Sequence, residues 1–93
     1  MVIFKYDLPI NGNVKDITGQ FCNIRHLETQ DGLPRIWIEC DSNYVEQTIT
    51  LVAVGTGWPF DVDDGWQYYG SAIDGAGYVW HYYGSPFEPK ELN

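Results

Sequence analysis

The chain has 93 residues, thirteen acidic and five basic, with a formal charge of −8 at neutral pH. That length holds one small domain, and 44% hydrophobic with 16% aromatic residues excludes intrinsic disorder and allows a packed core without metal or disulfide. The acidity argues against direct nucleic-acid binding, which needs cations on phosphate; no apolar run approaches a membrane span, and Met1 to Asp7 lacks the features of a signal peptide, so a cytoplasmic protein is expected.

Val2 to Leu8 alternates as a strand and ends at Pro9, and Asn11-Gly12-Asn13 is a turn. Val14 to Gln20 is irregular or a short strand. Phe21–Gln30 and Leu33–Cys40 then flank Asp31-Gly32, a strong hairpin signal, because a type I′ turn needs positive φ at both central residues. With Gln30 opposite Leu33, Glu28 faces Arg35, His26 faces Trp37 and Ile24 faces Glu39. Glu28 and Arg35 form a cross-strand pair on one face. Leu27, Ile36, Ile38 and Cys40 form an apolar, core-directed face. In this register Cys22 opposes Asp41 and Cys40 opposes Asn23, so the thiols point apart and stay unbonded, unless a bulge intervenes.

Gln47 to Val54 is rich in β-branched residues and reads as a central strand. Gly55-Thr56-Gly57 breaks it, and Trp58 to Gly65 is a loop. Trp66–Ile73 and Tyr78–Tyr83 are strands joined by the turn Asp74-Gly75-Ala76-Gly77. Residues 85–93, with Pro86 and Pro89, read as a loosely ordered tail. The expected fold is all-β: a small antiparallel β-sandwich or barrel of about six strands, forming a single domain over residues 1–84.

Few residues carry chemistry. His26 and His81 each lie beside a tryptophan, Trp37 and Trp80. Either the two imidazoles share a ligand site or each is a half-buried side chain bonded to a carbonyl. Zinc needs three or four ligands, so no metal and no cofactor are expected. Gly55-Thr56-Gly57 is an anion cradle or a glycine strand exit; it lacks the lysine of a P-loop. Asp61-Val62-Asp63-Asp64-Gly65 lacks the spacing of a calcium loop and reads as a solvated acidic segment. The aromatic residues between Trp58 and Tyr83 are too many for so small a core, which places some at an interface.

The run Ile24 to Trp37, with His26, Gln30, Gly32, Pro34 and Trp37, resembles a family of small uncharacterised proteins encoded by phages and prophages. The resemblance extends to Lys5-Tyr6-Asp7-Leu8, Gly55-Thr56-Gly57 and Val79-Trp80-His81 in the same order. The loop between Gly57 and Trp66 and the tail after Tyr83 depart from that pattern. The resemblance implies a compact β domain of mobile-element origin and no assigned activity.

The expected function is therefore a non-catalytic, phage-type binding protein that antagonises host defence by binding a host protein. The candidate surface comprises His26, Trp37, Trp58, Phe60, Asp61, Asp63, Asp64, Trp66, Trp80 and His81. A homo-oligomer is expected from the aromatic excess, joined through strand Trp66–Ile73 or Tyr78–Tyr83. One alternative is an oligomer that sequesters a small nucleotide by stacking on Trp37 or Trp80, with Lys5, Arg25 or Arg35 meeting phosphate. Others are a structural virion component, or a hydrolase built on His26 and His81, which lacks an evident nucleophile.

Overall fold

The structure, a computed structural model, describes residues 1–92. Seven strands form two antiparallel sheets: β1 (Val2–Asp7), β2 (Val14–Gly19), β3 (Phe21–Gln30), β4 (Leu33–Cys40), β5 (Gln47–Gly55), β6 (Gln67–Ile73) and β7 (Val79–Gly84). The first sheet runs β1-β4-β3 and the second β2-β5-β7-β6. The architecture is a small β-sandwich. Val14 to Gly19 is a full strand, paired along its length with β5. No helix among the described residues is long and apolar enough to cross a membrane.

Two Asx-Gly turns set the chain's direction early. Asn11 and Gly12 have φ of 58° and 76°, and Asp31 and Gly32 have 53° and 78°, the signature of type I′ geometry. The first turns the chain between sheets. The second closes the β3–β4 hairpin with Gln30 opposite Leu33, Glu28 opposite Arg35 and His26 opposite Trp37.

Beyond His26 the register shifts twice. Ile24 pairs with Ile38, Asn23 with Glu39 and Phe21 with Cys40. The expected Ile24–Glu39 and Cys40–Asn23 pairings are thereby corrected. The reason is apolar burial: the bulge at Arg25 returns Ile24 to the core face, which uninterrupted alternation would deny it, and the second bulge, at Cys22, lets Phe21 and Cys22 both be buried. Both cysteines are buried and free. Cys22 Sγ lies 3.3 Å from the Glu39 carbonyl oxygen, and the Cys40 thiol is within 4.0 Å of the Tyr6 hydroxyl. Burial pushes both thiols up from their ordinary pKa.

The core lies between the sheets. Ile36, Ile38, Ile49 and Leu51 are fully buried with Phe21 and Tyr82, and each such aliphatic side chain contributes about 2 kcal/mol of transfer free energy. The Tyr82 hydroxyl donates to the Pro9 carbonyl at 2.8 Å, so the largest fully buried side chain is also hydrogen-bonded. On one side the sheets meet at β3 and β6. The Gly75 amide donates to Gly32 O at 2.8 Å, Thr29 Oγ1 donates to Ile73 O, and Leu27 packs against Gly70.

Where a loose tail is expected, residues after Gly84 run back along the sandwich. Val45 N donates to Lys90 O and Leu92 N to Asn43 O, both at 2.7 Å. Phe87 meets Phe21 edge-on, with ring centroids 6.2 Å apart. Asn93, the last residue of that expected tail, lies outside the described residues.

Candidate functional site

Strand alternation distributes the ten candidate residues over separate surfaces. His26 and Trp37 share the outer face of the first sheet, with ring centroids 5.4 Å apart. His26 Nε2 lies 3.2 Å from Glu28 Oε1, so Glu28 is turned toward the imidazole. Its register partner Arg35 instead points Nε at Asp7 Oδ1, 3.1 Å away on β1, and donates from Nη1 to Gln30 Oε1 at 2.9 Å. The expected Glu28–Arg35 ion pair is thus replaced, because the third strand brings a carboxylate to the other side of Arg35. Lys5 bonds Gln30, and Arg25 bonds Glu39 at 2.8 Å. This face holds three of the five basic residues, each with a polar partner.

His81 lies on the outer face of the other sheet. Trp80, its neighbour in sequence, is buried on the core face. A shared site built from both imidazoles and both tryptophans therefore does not form: adjacent residues in a strand point to opposite sides, and the two outer faces look away from each other. Trp80 instead contributes its edge to the core and one end of the sandwich.

Around His81 the structure assembles groups that sequence order separates. Its Nδ1 is 2.7 Å from Ser71 Oγ and its Nε2 is 2.7 Å from Thr56 Oγ1; the Tyr68 hydroxyl bonds Ser71 Oγ. A bulge between Tyr68 and Gly70 puts Tyr68 and Ser71 on the same outward face. Tyr83 is central to an aromatic row there, 4.9 Å from Phe60 and 5.3 Å from Tyr68 between ring centroids. Alternation along β7 already aligned His81 with Tyr83; the partners Ser71 and Tyr68 depended on the bulge, whose sequence signal is the lone Gly70 inside the strand, at φ 141°.

The Trp58 to Trp66 loop links this row to a concavity. Trp58, Phe60, Asp61, Asp63 and Asp64 are exposed, and Trp66 is half-buried. The Trp58 indole lies on Gly55, where a Cβ would sit 2.5 Å from Trp58 Cε2. This close approach explains glycine at the end of β5. Trp58 also meets Trp80 nearly perpendicularly, at 5.3 Å and 76°. These rings, with Asn11, Gly55, Thr56, Tyr78 and Val79, line a pocket of about 420 Å³. Trp80 Nε1 donates to Asp74 Oδ2 at 2.8 Å, and that bond holds the Asp74 carboxyl below its ordinary pKa, helped by backbone amides of the turn.

Charge is segregated accordingly. From Ile36 to Pro89 the chain has no basic residue and eight carboxylates: Glu39, Asp41, Glu46, Asp61, Asp63, Asp64, Asp74 and Glu88. That stretch supplies β5, β6, β7 and the Trp58 loop. Among the described residues no group of three or more His, Cys, Asp or Glu side chains is arranged to hold a metal.

A family model, Domain of unknown function (DUF7352), matches residues 1–92. The chain belongs to the DUF7352 family. No curated protein and no solved structure matches it.

Proposed function

We propose that this DUF7352 domain is a non-catalytic binding protein that docks a basic protein surface on the Trp58 loop and the outer face of β6 and β7. The observation that carries this reading is the aromatic row Phe60–Tyr83–Tyr68, with Phe60 and Tyr68 exposed around a half-buried Tyr83, beside Asp61, Asp63 and Asp64 in a stretch devoid of Lys and Arg. Aromatic anchors exclude water at the centre of an interface, and unpaired carboxylates steer a cationic partner toward it. The resemblance to phage- and prophage-encoded proteins makes the partner a host protein in the host cytoplasm, and the binding an antagonism of host defence.

A binding role fits the His81 geometry. Ser71 stands at nucleophile distance from the imidazole, yet the other ring nitrogen meets the Thr56 hydroxyl and not a carboxylate that would orient and stabilise an imidazolium. Nucleotide sequestration fits less well, since Lys5, Arg25 and Arg35 are engaged on the other sheet and no basic residue lines the aromatic pocket.

Affinity capture from host lysate tests the reading, with the wild type compared against Phe60→Ala and against Asp61, Asp63 and Asp64 all changed to Asn. One host protein should be retained by the wild type and by Trp37→Ala. It should be weakened by about 2 kcal/mol in affinity by Phe60→Ala, as for a central anchor, and lost faster with salt in the wild type than in the triple variant. Equal retention by all four proteins would refute the proposal.

A further inference from the structure

Three aromatic rings line the pocket at the Trp58 end. Trp58, Tyr78 and Trp80 approach it from the loop and from the start of β7, with Trp58 and Trp80 at 76° and Tyr78 6.3 Å from Trp80. Aromatic faces carry negative quadrupole potential, strongest for indole; Trp58 and Tyr78 are exposed and offer theirs to a guest, while the buried Trp80 lines the pocket from the core side. The Trp80 N–H donates to the Asp74 carboxylate, which fixes the ring and pushes electron density into it. No Lys or Arg lines the pocket, so no cation of the pocket's own wall occupies it. Asn11 and Thr56 at the wall offer oxygen acceptors.

We propose that this pocket receives an organic cation: the ammonium or guanidinium of a lysine or arginine side chain presented by the basic partner. The assignment rests on the binding role proposed above and names the contact that would give it specificity. A nucleobase would find the same rings, but no Lys or Arg lines the pocket to meet its phosphates. A purely apolar guest would gain nothing from the ring quadrupoles or from the Asp74 carboxylate on Trp80.

The test titrates the full ¹⁵N-labelled chain with choline and, separately, with 3,3-dimethylbutan-1-ol, which has the same shape without charge. Choline should shift the Trp58 and Trp80 indole N–H signals saturably and leave Trp37 unmoved. It should bind about tenfold more tightly than the alcohol, as expected for a cation over desolvated aromatic faces. Gly55→Ala, whose new Cβ would lie 2.5 Å from the Trp58 indole, should displace that ring and weaken choline about tenfold with amide dispersion unchanged. Trp58→Ala, at an exposed position, gives the same readout if Gly55→Ala unfolds. Equal affinities for choline and the alcohol, or no saturable shift with choline, would overturn the assignment. A partner still captured through Phe60 and the acidic loop would then leave the broader binding role standing, whereas choline binding without any captured partner would support the pocket and undo that role.

Discussion

The Asp74 carboxylate accepts from the amides of Ala76 and Tyr78 through Oδ1 and from the Trp80 indole through Oδ2. One side chain thereby closes the β6–β7 turn and anchors the buried tryptophan behind the pocket. Because these bonds favour the ionised form, the folded-state pKa lies below the ordinary 3.8. The stabilisation is therefore present above that value and is lost as pH falls through the folded pKa. Asp74→Asn should lower the urea midpoint at neutral pH, and the gap from wild type should narrow progressively as pH falls below 3.8. A gap that stays constant over that range would show that the charge of Asp74 contributes nothing. Tyrosines mark the burial gradient: desolvation pushes Tyr6 and Tyr69 up to about 12, and Tyr82, with its hydroxyl on Pro9, higher still.

At the scale of elements, the β3–β4 hairpin ties the sandwich together through its tip. Gly32 combines positive φ with close approach: a Cβ there would lie 3.4 Å from the Gly75 backbone. Gly57 also has positive φ, 84°, but open space around it. Gly32→Ala should cost about 1–2 kcal/mol from the left-handed conformation, plus the disturbance of the Gly32–Gly75 contact. Gly57→Ala should cost only the conformational part. Urea denaturation of both variants checks the difference, and equal destabilisation would mean that the contact between the two turns is immaterial. The same hairpin shows what alternation misses. Counting outward from Asp31-Gly32 places His26 and Trp37 correctly, and the bulge at Arg25 then defeats the count for every residue before it.

For the whole molecule, the exposed edges decide what it can join. Of the two strands expected to carry an oligomer contact, Tyr78–Tyr83 has no free edge, because β7 lies between β5 and β6 with both neighbours paired, whereas Trp66–Ile73 becomes β6, an edge strand. β1 is an edge strand whose other side is open, and Val2, Ile3 and Phe4 are each at least half exposed. Such an edge invites pairing with another strand. We expect self-association through β1, giving a light-scattering mass above 10.7 kDa at high protein concentration. Ile3→Lys should restore the monomer mass; a wild type that stays monomeric would refute this. The pocket and the Phe60–Tyr83–Tyr68 row lie on the other sheet, so self-association would leave them available.

Local sequence determined the strands, the Asp31-Gly32 hairpin, the His26–Trp37 pairing and the Ile36–Ile38 core face. Each follows from turn stereochemistry or a period of two, both properties of neighbouring residues. The loop Trp58 to Trp66 and its exposed aromatic and acidic side chains were legible for the same reason. Which strands share a sheet, and hence which faces look inward, required contacts between distant segments. That is why Trp80 and His81, adjacent in sequence, belong to the core and the surface, and why Asp7 takes Arg35 from Glu28. It is also why Asn11, Tyr78 and Trp58 line one pocket. Sheet order and bulges are settled by burial of apolar area across the whole sandwich, and no short window of sequence contains that sum.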